Sequence, residues 1–77
     1  MPDDAVERFL DQIGLPVKLA GKLHAFGMFD EERLNMIAHW DDEDLSVLMD
    51  RLHKEAQIDW VVCIAIRKGL KARGKAA

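Results

Sequence analysis

Three aspartates in this chain share one local pattern: an apolar residue precedes each of them, and another apolar residue follows four positions after it. The three triples are Phe29-Asp30-Leu34, Trp40-Asp41-Leu45 and Ile58-Asp59-Cys63. An aspartate at the N-cap accepts a hydrogen bond from a backbone N–H at a helix start, and the flanking apolar pair can close beside it as a hydrophobic staple. Each triple therefore predicts a helix that begins at its aspartate.

Two further helix starts precede these triples. Asp4 and Glu7 form a capping-box pattern, and Pro16 suits the first position of a helix. Together these signals divide the chain into five predicted helices, with approximate bounds 4–13, 16–26, 31–38, 42–52 and 60 onward. Since no strand pattern competes with them, the sequence predicts an all-α fold, a small five-helix bundle.

The last predicted helix has apolar residues on nearly all of its sides. It is therefore expected to be the central, most buried helix. Gly69 is expected to weaken its end, and Gly74 to lie beyond it. We accordingly predict one domain over residues 4–73, followed by a basic C-terminal tail over 74–77.

Length and composition favour a single small globular domain and exclude a disordered segment. The chain has 77 residues, of which 49% are hydrophobic and 32% are charged. Its longest apolar run spans seven residues, 60–66, and its first residues are acidic, so neither a membrane span nor a secretory signal is expected. The single cysteine, Cys63, cannot form an internal disulfide. We therefore expect an intracellular, cytoplasmic protein.

Charge is distributed unevenly along the sequence. All 14 acidic residues lie at or before Asp59, where the net charge is −8, whereas the last 18 residues carry five bases and no acid. Basic side chains near the C-terminus of a helix interact favourably with the negative end of the helix dipole. This is one interpretation of the basic end of the chain. The other interpretation is a charged surface that faces a partner.

The residues that most often carry catalysis or metal binding do not form a convincing site in the sequence. No two of His24, His39 and His53 lie three or four positions apart, so no helix face offers a pair of metal ligands. Cys63 stands in an apolar run and is expected to be a buried, inert thiol. Three interpretations fit the acidic run 41–44, namely helix capping, a patch that faces a partner, and a cation site. We expect neither an enzyme nor a cofactor or metal.

The large apolar side chains beside the predicted helix starts are expected to pack in the core. Trp40 is interpreted as a staple and core anchor, and Met28, Met36 and Met49 as core filler. Trp60 fits two interpretations equally, a core residue or an exposed side chain that contributes strongly to partner binding.

Three stretches of the chain follow one another in an order that is known from a family of small helical domains. Residues 6–15 form an apolar helix that ends in a Leu-Gly-Leu-like turn, and residues 26–28 resemble a Phe-Gly-Ile joint. Residues 34–45 are an apolar run with Trp-Asp where Leu-Thr is usual, followed by a direct match at Glu43-Asp44-Leu45. Over residues 5–72 the chain thus resembles a sterile alpha motif (SAM) domain, departing from it at 48–59, where acids replace the usual bases.

The resemblance implies a protein–protein interaction module for scaffolding or signalling. It associates with itself or with another SAM-like domain, in a head-to-tail contact that can build open chains. The acidic surface of that contact would consist of Asp30, Glu31, Glu32, Asp42 and Asp44. The opposing surface, at the start of the last helix, would consist of His53, Lys54 and Trp60.

The alternative function is binding of RNA or another nucleic acid through the basic last helix. Its phosphate contacts would come from Arg67, Lys68, Lys71, Arg73 and Lys75. The acidic net charge of −3 and the lack of an aromatic residue among these bases argue against it. An anionic membrane surface as the partner meets the same objection from charge.

Overall fold

The fold consists of five α-helices and one short 3-10 segment, seen in a computed structural model that describes residues 4–76. In chain order these are α1 (Ala5–Gln12), the 3-10 segment (Val17–Leu19), α2 (Ala20–Ala25), α3 (Glu31–Ala38), α4 (Asp42–Glu55) and α5 (Trp60–Ala76). No strand occurs within residues 4–76. The predicted all-α fold, a small five-helix bundle, is confirmed.

Aspartate side chains lie at the predicted starts of α1, α3, α4 and α5, whereas α2 has no side-chain cap. The carboxylates accept backbone N–H bonds from Glu7 to Asp4 at 3.3 Å, from Arg33 to Asp30 at 2.8 Å, and from Asp44 to Asp41 at 2.9 Å. At α5, the Asp59 carboxylate accepts a longer bond from the Val61 N–H, at 3.4 Å. Each contact supplies a partner to an N–H that has no acceptor inside the helix.

Two glycines end the first two helices in the left-handed conformation that a side chain disfavours. Gly14 has a φ of 79° and Gly27 a φ of 90°. Beyond them, the Leu15 N–H donates to the Leu10 carbonyl at 2.9 Å and the Met28 N–H to the Leu23 carbonyl at 3.1 Å. These bonds run back across the last helical turn, which returns the chain sharply toward the core.

The hydrophobic core draws residues from all five helices. Its completely enclosed side chains are Val6, Leu10, Leu23, Met28, Leu34, Leu45, Leu52, Cys63, Ile66 and Leu70. α5 packs against both α3 and α4, which agrees with the central place predicted for it. Within the part of the chain that the structure describes, no helix combines the length and hydrophobicity needed to cross a membrane.

Three helix boundaries differ from those predicted, and one of them is the end of α4, which continues to Glu55 rather than stopping at 52. The predicted second helix is divided, because the residues after Pro16 first form the 3-10 segment and only then α2. α5 continues through Gly74, which was expected to lie beyond it. A Cβ atom at Gly74 would meet the carbonyl oxygen of Ala38, so this glycine allows α5 to approach the end of α3. Close packing, rather than helix termination, explains Gly74.

The prediction that Trp40 is a core anchor is wrong. Trp40 is 39% exposed, and Phe29, which precedes the α3 cap, is also exposed, with the Arg33 guanidinium 4.8 Å from its ring centre. Only the third staple, Ile58 and Cys63, has both side chains buried. An N-cap fixes where a helix starts, but the burial of its neighbour depends on which element packs there.

The methionines divide in the same way. Met28 and Met49 are buried as predicted, whereas Met36 points away from the core and is 54% exposed. It occupies the outer side of α3, whose inner side is supplied by Leu34 and Ile37. The expectation that Met36 fills the core is therefore wrong.

Candidate interaction surfaces

The predicted acidic surface is partly engaged inside the domain. Asp42 lies 2.6 Å from the Lys71 Nζ atom and 3.8 Å from an Arg67 guanidinium nitrogen. Its hydrogen bond to Lys71, together with the positive charge of that side chain, lowers the pKa of the Asp42 carboxyl. Glu31 lies 3.5 Å from Arg73, whose Nε atom also donates to the Asn35 side-chain oxygen at 2.7 Å.

These contacts give the uneven charge of the sequence a structural role. Three of the five bases in α5 neutralise acids in the first turns of α3 and α4. The Asp30 carboxylate meanwhile serves as a cap. Of the five predicted acidic residues, only Glu32 and Asp44 expose carboxylates that, within residues 4–76, neither cap a helix nor pair with a side chain. The part of the acidic surface available to a partner is therefore smaller than predicted.

The predicted opposing surface is also divided. His53 donates from Nδ1 to the Ile58 carbonyl at 2.9 Å, and its ring meets the Trp60 ring edge to face, with centres 5.7 Å apart. Lys54 instead pairs with Asp50 at 3.2 Å, one helical turn earlier. The structure thus brings His53 and Trp60 together and directs the charge of Lys54 toward its own helix.

The first half of α5 presents an apolar ridge that the sequence interpretation did not include in full. It consists of Trp60, Val61 and Ile64, which are 53%, 70% and 39% exposed, and we call it the α5 ridge. A shallow depression beside it is lined by Met49, Cys63 and Arg67, among others. The sequence signal for this ridge was the apolar run 60–66. The run is longer than one buried helix face requires, so some of its side chains remain in solvent.

A second apolar depression lies along the outer side of α4. It is lined by Ala25, Phe26, Trp40, Asp44, Val47, Leu48, Arg51 and Glu55, and we call it the α4 groove. Its side chains come from the end of α2, the segment before α4 and α4 itself. No sequence motif marks it, because α2 and α4 are brought together only by the fold.

The histidines and the cysteine each have their own local contacts and do not share a site. His24 lies 3.0 Å from the Asp4 carboxylate, and the His39 Nδ1 donates to the Asn35 carbonyl at 2.7 Å. Cys63 is fully buried, and desolvation, with a smaller contribution from the Asp59 charge, raises the pKa of its thiol. Among the residues that the structure describes, no three histidine, cysteine or carboxylate side chains are grouped so as to hold a metal ion.

The bases proposed for nucleic-acid contact are largely paired within the domain. Arg67, Lys71 and Arg73 each contact a carboxylate of α3 or α4. Lys68 and Lys75 remain exposed with no ion-pair partner in residues 4–76. A phosphate backbone would have to compete with the internal carboxylates for three of the five bases.

Comparison with known proteins gives no functional assignment, so a function is proposed from the surfaces described above. No family model, curated protein or solved structure matches this chain.

Proposed function

We propose that this domain is a protein–protein interaction module that binds a second copy of itself or another small helical domain of SAM-like type. The observation that carries the proposal is the α5 ridge, where Trp60, Val61 and Ile64 stand in solvent on consecutive turns of one helix. Such an arrangement suits an interaction surface of a scaffolding or signalling protein. We place this interaction in the cytoplasm. It supplies apolar area without any group that could perform chemistry.

The geometry at Trp60 favours binding over a purely structural role. Its ring is half exposed, yet His53 contacts it edge to face and is itself held by the Ile58 carbonyl. A large aromatic side chain that is held in place loses little conformational freedom when a partner covers it. Tryptophan is also enriched among the residues that dominate binding energy at interfaces.

The partner surface in a head-to-tail contact would lie among the acidic residues of α3 and α4. Glu32 and Asp44 are the predicted acids with available carboxylates. Lys68, about one turn beyond Ile64 on α5, provides an exposed positive charge close to the ridge. Complementary charges of this kind would orient the two copies and increase their encounter rate.

Sedimentation velocity from micromolar to millimolar concentration tests the proposal. The wild type should associate with increasing concentration, whereas Trp60→Ala should weaken association by roughly tenfold or more, as expected for a central aromatic contact. Val61→Gln should weaken it by a smaller factor. Val47→Gln is the matched control, because Val47 is also exposed and helical but belongs to the α4 groove.

A mixing experiment tests the head-to-tail geometry. Trp60→Ala removes one surface, and Glu32→Lys combined with Asp44→Lys reverses the other. Each protein should stay monomeric alone, and the mixture should form only dimers, because one intact surface of each kind remains. Circular dichroism checks that both variants are folded.

A monomeric wild type at millimolar concentration that also binds no SAM-like domain would contradict the proposal. Retention on RNA at low salt, lost on Lys68→Gln with Lys75→Gln, would support nucleic-acid binding instead.

A further inference from the structure

We propose that the α4 groove binds an amphipathic α-helix of another protein, with a lysine or arginine of that helix placed against Asp44. This site is separate from the α5 ridge and does not depend on self-association, although it shares Asp44 with the acidic surface proposed for the head-to-tail contact. The dimensions, the apolar lining, the charge and the location of the groove each support this partner.

The dimensions of the groove fit a short helix. Its α4 residues run from Asp44 to Glu55 and recur every three or four positions, so they form one stripe along the helix. At a rise of about 1.5 Å per residue, eleven steps extend over roughly 16 Å. That length accommodates about three turns of a second helix lying alongside α4.

The lining provides the apolar contacts that helix recognition requires. Trp40 and Val47 are 39% and 57% exposed, and Phe26, which also lines the groove, is half-buried and packs against the core. An amphipathic helix places apolar side chains at intervals of three or four residues, which matches the spacing of the stripe along α4. Covering these side chains would remove apolar area from water on both partners.

Charge selects the kind of helix. Asp44 has no ion-pair partner in residues 4–76, and Glu43, which precedes it in the chain outside the groove lining, is also an exposed acid. At the other end, Arg51 and Glu55 satisfy each other, with Nε and Oε2 2.8 Å apart. The groove therefore has one acidic end and one neutral end, so it favours a partner with a basic side chain at the acidic end.

The location of the groove makes it independent of the α5 ridge. Ser46 and Met49 line the depression beside the ridge, whereas Val47 and Arg51 line the groove. With about 100° between successive residues of a helix, these two pairs lie on nearly opposite sides of α4. The ridge and the groove of one copy can therefore be occupied at once, whereas a second copy bound at Asp44 would compete with the helix for the acidic end of the groove.

The test uses two blocked peptides of about four helical turns, each with a leucine stripe at helical spacing. One carries lysines in both terminal turns, and the other carries glutamates at the same positions. Titrations of isotope-labelled domain are followed by nuclear magnetic resonance. We expect the lysine peptide to shift the Trp40 and Val47 signals and to bind about tenfold more tightly than the glutamate peptide.

Variants assign the site. Val47→Gln should weaken binding of the lysine peptide about tenfold, and Asp44→Asn should remove most of the preference for lysine over glutamate. Val61→Gln, on the α5 ridge, is the matched control and should leave peptide binding unchanged.

Four results would overturn this inference. These are equal binding of the two peptides, no shift at millimolar peptide, shifts centred on Trp60, and loss of self-association in Val47→Gln. The last result would show that a second copy of the chain occupies the groove. Loss of association in Trp60→Ala alone bears on the self-association proposal and leaves the groove proposal intact.

Discussion

The Nζ atom of Lys71 lies 2.6 Å from the Oδ1 atom of Asp42, so α5 holds the first turn of α4 by an ion pair. Arg67, one turn earlier in α5, adds a weaker contact to the same oxygen at 3.8 Å. A carboxylate in this first turn also interacts favourably with the positive end of the α4 dipole. Asp42 thus contributes to the start of one helix and to the docking of another.

This pair makes stability depend on pH in a defined direction. Because the folded domain lowers the pKa of Asp42, the unfolded chain binds more protons at acidic pH. The stability from this group is complete above its unfolded pKa and is lost as pH falls through the folded pKa. We expect Asp42→Asn to melt below the wild type at neutral pH, with the difference shrinking as pH falls through and below the ordinary pKa range of an aspartate.

Asp44→Asn is the control for that experiment, because Asp44 shares the first turn of α4 but lacks an ion-pair partner in the part of the chain that the structure describes. It should lower the melting temperature less than Asp42→Asn. Equal effects of the two substitutions would show that Lys71 adds nothing beyond the helix dipole.

Gly74→Ala should destabilise the domain although it improves helix propensity. Propensity alone favours alanine by about 0.5–1 kcal/mol inside a helix. The added Cβ would collide with the Ala38 carbonyl oxygen, and a backbone atom cannot move aside as a flexible side chain can. We expect a net loss of roughly 1–3 kcal/mol in the free energy of unfolding, measured in urea.

Gly21→Ala should have the opposite effect. Gly21 also lies in a helix, but a Cβ there meets no atom within 4 Å. Propensity then acts alone and should stabilise the domain by about 0.5–1 kcal/mol. A gain in stability from both substitutions would mean that α5 does not pack closely on the end of α3.

Asp41→Ala should remove the cap of α4 and cost about 1 kcal/mol in the free energy of unfolding. The basis is the 2.9 Å bond from the Asp44 N–H to the Asp41 carboxylate. Asp41→Asn keeps an acceptor in place and should recover most of that loss. Identical urea midpoints for wild type and Asp41→Ala would exclude a stabilising role for this contact.

Cys63 should react with a thiol reagent only when the domain opens. Its side chain has no exposed surface, and burial raises the pKa of the thiol, so little reactive thiolate is present at neutral pH. Labelling of the native domain should therefore be many times slower than labelling of the same chain in urea. Equal rates in the two conditions would place Cys63 at the surface.

The sequence was informative about where helices begin. The side chains of Asp4, Asp30 and Asp41 make the predicted caps, because such a bond involves residues only three positions apart. The helix class of the fold followed from those starts and from apolar spacing. The division of the second helix did not, since Pro16, predicted at the first helical position, instead precedes the 3-10 segment with an extended backbone.

The surfaces were harder to predict, because they depend on contacts between distant parts of the chain. Asp42 appeared available for a partner until Lys71, from the last helix, was found beside it. Trp40 appeared to be core until the neighbouring elements left it partly uncovered. Val61 and Ile64 were overlooked, because an apolar run does not show which of its sides remains in solvent.

The contact of Arg73 with Asn35 joins residues 38 positions apart in the chain. Closing so long a loop costs entropy before the contact gains any energy, whereas the contact of α1 with the 3-10 segment is local. We therefore expect the end of α5 to dock on α3 after the barrier to folding has been crossed. Arg73→Gln should then accelerate unfolding while leaving the refolding rate nearly unchanged, which a plot of both rates against urea would reveal.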